Sequence, residues 1–130
     1  MSYEALFANP TGRTSRAAFL PALITLLAAA ALYFFLVKGR NGEWVLTTLL
    51  FPAAVLHARR LHDMGQTGWL LLLPGIPAVS AIWMHLYDRY PGQQSAVAWT
   101  AVVLSAGFIL WGLLGKGQPR ANRFGEPVAA

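Results

Sequence analysis

Residues able to do chemistry crowd into one stretch, Arg59-Arg60-Leu61-His62-Asp63-Met64-Gly65-Gln66-Thr67-Gly68-Trp69, between two long apolar segments. Further cations stand before the first apolar run, at Arg13 and Arg16, and after the last, at Lys116, Arg120 and Arg123, with Asn122 beside them. A guanidinium group offers a planar fork of donors and keeps its charge at any relevant pH, so several together suit a phosphate or carboxylate. The same residues can instead form a structural network, because Asp63 is three residues from Arg60 and four from Arg59 and can pair with either along a helix. Catalysis has less behind it. His57 and His62 are five apart, whereas a metal shared on one helix face wants a spacing of three or four. No Ser or Thr sits in a nucleophile elbow, and no second carboxylate has a fixed place beside Asp63 for acid–base work. We therefore expect no catalytic residue, no metal and no cofactor. The chain has no cysteine, which removes disulfides, Cys-ligated zinc and thiol chemistry.

The elements that must position these residues are apolar runs. Of 130 residues, 56% are hydrophobic and 12% charged, about half the usual charged share. A formal charge of +5 would suggest nucleic acid in a soluble protein. Here the basic residues flank runs long enough to cross a bilayer, which points to membrane topology and anionic lipid, with no nucleic-acid partner.

Residues 1–130 read as a single membrane domain. Residues 1–16 form an entry segment in which Tyr3, Leu6 and Phe7 fall at helical spacing and Asn9-Pro10-Thr11-Gly12 reads as a turn. Ala17–Val37 is 21 residues without a charge, roughly 31 Å as a helix. A cleaved leader ending near Ala28-Ala29-Ala30 would open into polar chain, but the residues that follow, Ala31 to Val37, are strongly apolar. After the loop Lys38–Glu43, Trp44–Ala58 supplies a second apolar run, which Arg59 and Arg60 extend. An Arg at the centre of a spanning helix costs about 2.5–3.5 kcal/mol, so this pair is expected at the surface with its stems snorkelling outward. Gly65 reads as the helix C-cap. Trp69–Tyr87 is the third run, and Pro74, Gly75 and Pro77 within it predict a kink or break. Ala96–Gly115 is the fourth, with Ala101 and Ser105 as a small pair for close packing. Residues 116–130 form a polar tail. All five tryptophans fall near run ends, as an aromatic belt requires.

The expected fold is an all-α integral membrane bundle of four transmembrane helices, near 17–37, 43–63, 69–87 and 96–115. With four spans, both termini and the Arg59–Trp69 turn share one side. That side holds Arg13, Arg16, Arg59, Arg60, Lys116, Arg120 and Arg123, against Lys38, Arg40 and Arg89 on the other. The positive-inside rule makes the richer side cytoplasmic, so the bundle is N-in and C-in.

Three pieces of sequence carry a resemblance. Gly12-Arg13-Thr14-Ser15-Arg16-Ala17-Ala18-Phe19, then Arg60-Leu61-His62-Asp63 with Gly65 and Gly68-Trp69, then Asn122-Arg123-Phe124-Gly125 are together similar to the YhaH-like family of small bacterial inner-membrane proteins, a domain of unknown function. The tail departs from the family's Pro-Asp-Pro type ending, with Glu126-Pro127-Val128 in its place. The resemblance implies a multi-pass protein of the bacterial inner membrane, and it brings no activity.

The expected role is a non-enzymatic scaffold or accessory protein. Its cytoplasmic cluster of Arg13, Arg16, Arg59, Arg60, His62, Asp63, Asn122 and Arg123 would bind anionic lipid headgroups or a partner, either a second copy or another membrane protein. The alternative is a small oligomeric transporter or channel that uses the broken third helix at Pro74, Gly75 and Pro77. It has no mid-membrane carboxylate to serve as a proton relay.

Overall fold

Apolar runs become helices because lipid offers the backbone no other hydrogen-bond partner. The computed structural model describes residues 7–36 and 47–127. Within them the chain forms α1 (Arg16–Leu36), α2 (Leu50–Asp63), a short 3-10 helix (Gly68–Leu71), α3 (Leu72–Leu86) and α4 (Gln94–Leu114). The entry positions Tyr3 and Leu6, the loop Lys38–Glu43 and Trp44 lie outside the described residues.

The helix ends are specified locally. Ser15 precedes α1, and its Oγ accepts from the Ala18 amide at 3.3 Å, an N-cap. At the end of α2, the Gln66 amide donates to the Leu61 carbonyl at 2.8 Å and the Gly65 amide to the His62 carbonyl at 3.0 Å. Those two bonds make a Schellman cap, which needs a left-handed residue after the helix, and Gly65 has φ +79°. Thr67 then caps the 3-10 helix by accepting from the Trp69 amide at 3.3 Å.

α3 and α4 pack along each other as a hairpin, and α2 lies against the 3-10 helix, α1 and α4. Gln94 closes the hairpin loop by donating to the Met84 and Arg89 carbonyls at 3.2 and 2.9 Å. Phe19, Ala22, Leu23 and Leu56 form the buried apolar core, with Phe7, Leu26, Ile109 and Leu113 packed around it.

Among the described residues, three helices are long and apolar enough to cross a membrane: Arg16–Leu36, the continuous Gly68–Leu86 and Gln94–Leu114, with mean hydropathies of 2.3, 1.6 and 2.0. α2 has 14 described residues and is not among them. The exterior is apolar: Phe34, Phe35, Leu36, Ile76 and Val103 are exposed, as is Trp69 at 77%. The interior meanwhile holds Arg13, Thr14, Ser15, Arg59, Arg60 and Asp63. Such an inside-out distribution suits a lipid surround and would be an aggregation hazard in water.

Two expectations are corrected. No residue from Leu72 to Leu86 leaves helical geometry, so the predicted break at Pro74, Gly75 and Pro77 is not a gap. Pro74 falls in the first turn of α3, where no N–H is needed, and the change of geometry lies upstream, where 3-10 passes into α. Nor do Arg59 and Arg60 snorkel outward. They are 5% and 1% exposed and reach inward to carbonyl oxygens.

Candidate functional site

Asp63, the last residue of α2, stands at the centre of the polar interior. Its Oδ1 accepts from Arg13 Nε at 3.0 Å, and its Oδ2 accepts from Arg60 Nη1 at 2.8 Å. Both ion pairs are almost fully shielded from solvent. The helical spacing delivers Arg60 to Asp63, and the chain before α1 delivers Arg13.

Each arginine gathers a different part of the chain. Arg13 Nη1 donates to the carbonyls of Arg120 (2.8 Å) and Gly125 (3.2 Å), and its Nη2 to that of Gln118 (2.5 Å). Arg13 therefore holds the tail. Arg59 holds the entry loop: Nε donates to Thr14 Oγ1 at 3.0 Å, Nη1 to the carbonyls of Asn9 and Thr11, and Nη2 to that of Arg13 at 3.0 Å. Arg60 holds the end of α4, with Nε donating to the Gly112 carbonyl at 2.7 Å and Nη2 to that of Gly115 at 2.5 Å. Those are acceptors that a helix C-terminus leaves unmet, and a cation there also complements the helix dipole.

The electrostatics follow from this wiring. Among the described residues, three buried guanidinium groups face one buried carboxylate. Among the described residues, the other partners of these guanidinium groups are backbone carbonyls and Thr14 Oγ1. No fully buried side-chain nitrogen or oxygen among them lacks a hydrogen bond. A ligand could enter this clasp only by displacing bonds already made.

Around the clasp the tail is pinned. His62 Nδ1 donates to the Gly12 carbonyl at 2.9 Å, and its ring stacks on Phe124 at 3.8 Å with the planes 7° apart. Asn122 Nδ2 donates to the His62 carbonyl at 3.0 Å and to Gln118 Oε1 at 2.8 Å. Asn122 Oδ1 accepts from the Phe124 amide at 2.8 Å, which fixes the turn that places the ring. Gly117 has to be glycine, since a Cβ there would fall on the Asp63 carboxylate.

The structure thus brings together Arg13, Arg59, Arg60, His62, Asp63 and Asn122. Arg16 is at the margin, exposed, with Nη1 3.3 Å from the Leu114 carbonyl. Arg123 lies outside the clasp with its guanidinium 4.8 Å over the Phe124 ring. Asp63 chooses Arg13 and Arg60, not Arg59. Pro74 and Gly75 belong to a separate cavity. Sequence reasoning missed Thr14, Gln118 and Gly117, and it missed the carbonyls of residues 112–125, which carry no side-chain signature.

An open groove of about 830 Å³ runs beside the clasp, between the start of α1 and the chain after α4. Arg16 and Lys116 stand on its rim as exposed cations, and Leu20, Leu113 and Pro119 supply apolar wall. This groove can take an anionic group and a chain attached to it.

A family model described as "Protein of unknown function (DUF805)" matches residues 7–126 of the chain. No curated protein and no solved structure matches it.

Proposed function

The chain belongs to the DUF805 family of proteins of unknown function, and from that premise we propose a non-enzymatic scaffold or accessory protein of the bacterial inner membrane that binds anionic lipid on its cytoplasmic face. In this reading the chain crosses four times, with α2 and the residues before it as the second crossing and both termini in the cytoplasm. One observation carries the role: the donors of the buried clasp are engaged, while Arg16 and Lys116 are exposed on one groove with an apolar wall. A phosphate at the rim meets two cations, and the acyl chain below it meets Leu20 and Leu113. The anion site therefore moves outward from the Arg60–Asp63 centre to the clasp's edge.

The test uses the full chain purified in detergent and phosphatidylglycerol as the probe. The double variant Arg16→Gln/Lys116→Gln should retain roughly thirtyfold less of it, given about 1 kcal/mol for each basic residue near a membrane surface. Retention equal to wild type would refute the reading. A transporter has weaker support, because α3 is continuous through Pro77 and no charged side chain among the described residues lines the cavity beside it.

A further inference from the structure

A second open cavity, of about 420 Å³, lies between the four helices, away from the clasp and its groove. It falls within the usual range for small-molecule pockets, about 300–1,000 Å³. α1 contributes Leu27 and Ala30, α2 contributes Leu50 and His57, α3 contributes Gly75, and α4 contributes Ser105. The lining is almost wholly apolar, and His57 is its one ionisable side chain among the described residues. Nothing in the lipid reading of the groove uses this cavity.

His57 gives the cavity a direction and a chemistry. Its Nδ1 lies 2.8 Å from the Ala53 carbonyl. A carbonyl only accepts, so Nδ1 carries the proton and Nε2 is left as an acceptor. The ring also meets Phe19 edge-on at 5.2 Å, which fixes its orientation. No hydrogen bond is formed by Nε2 among the described residues. From His57 to Leu50 is seven residues of α2, a slot roughly 10 Å long. The imidazole end is one turn from Arg59 and Arg60, and the other end lies deeper among leucines and alanines.

We propose that this cavity binds a single-chain apolar molecule ending in a neutral hydroxyl, whose O–H donates to His57 Nε2 while its chain lies along α2. An anionic head is disfavoured because no cation among the described residues lines the cavity, and an unpaired charge against this apolar lining costs far more than one hydrogen bond returns. A plain hydrocarbon would leave the Nε2 acceptor unmet, which also costs. The chain length follows from the slot and the head group from the imidazole.

The test is native mass spectrometry on the full chain in detergent, with octan-1-ol, whose extended chain matches the slot, and its methyl ether as probes. The two share the chain, and only the alcohol can donate. Wild type should hold the alcohol roughly five- to tenfold more tightly, the worth of one buried hydrogen bond. His57→Phe should bring the two probes level by weakening the alcohol. A Cβ added at Gly75 meets nothing within 4 Å, and Gly75 lines the cavity, so Gly75→Leu should reduce both probes by taking up the space. Equal binding of alcohol and ether to wild type would overturn the proposal, whatever the variants do. So would undiminished binding to Gly75→Leu. Neither outcome bears on retention at the Arg16–Lys116 groove.

Discussion

Asp63 is one carboxylate answering two buried guanidiniums, and a substitution there shows what that is worth. Asp63→Asn keeps the size but leaves Arg13 and Arg60 without an anion. Breaking a buried pair by removing one partner typically costs about 3–5 kcal/mol. Thermal unfolding followed by loss of the monodisperse chromatographic peak should fall sharply for this variant. Arg123→Gln should change stability by about 0.5 kcal/mol or less, since Arg123 is exposed and only overlies Phe124. That contrast separates buried wiring from surface charge within one cluster of arginines. The pairing itself was half legible. Spacing put Arg60 and Asp63 on one helix face, and the prediction that the terminal segments share a side brought Arg13 within consideration. Burial of the arginines was not legible, because their partners are carbonyl oxygens, and every residue type carries one.

At the scale of elements, the tail after α4 is held by shape as much as by bonds. The Gln118 amide donates to the Asp63 carbonyl at 2.7 Å immediately after Gly117. Gly117→Ala would drive a methyl into the Asp63 carboxylate and push the tail away. Overpacking of this kind costs about 1–3 kcal/mol, so trypsin should cut after Arg120 or Arg123 roughly tenfold faster. Gly92→Ala is the control, since a Cβ there meets nothing within 4 Å and the cleavage rate should not change. The helices were the most legible part of the fold, because charge-free runs bounded by arginine, glycine and tryptophan leave little choice of limits. α1 begins at Arg16 and α4 ends at Leu114, each one residue from the expected limit. Pro74, Gly75 and Pro77 open no gap in α3, although Pro77 lies inside it and removes one N–H donor. Pro74 escapes by position, and the 3-10 entry relieves the turn before it.

At the scale of the molecule, the apolar exterior and the polar interior imply a lipid surround, and the charge count supplies an orientation. Seven Lys and Arg lie on the predicted cytoplasmic side and three on the other. A reporter active only outside the cytoplasm, fused after Ala130, should stay dark, while the same reporter inserted at Gly92 should be active. A bright signal at Ala130 would refute N-in/C-in topology and with it the cytoplasmic placement of the groove.

The Arg13 contacts have a consequence in time. They join residue 13 to residues 118, 120 and 125, more than a hundred positions later. While the ribosome is still making α3, Arg13 has no tail carbonyl to bind, and Arg60 has no end of α4. The nascent chain must carry these charges incompletely matched until residues 118–125 arrive to meet them. Loop closure over such separations is slow. A chain stalled before Gln118 therefore lacks the carbonyls that Arg13 binds, and residues 118–125 close the clasp only when they are made.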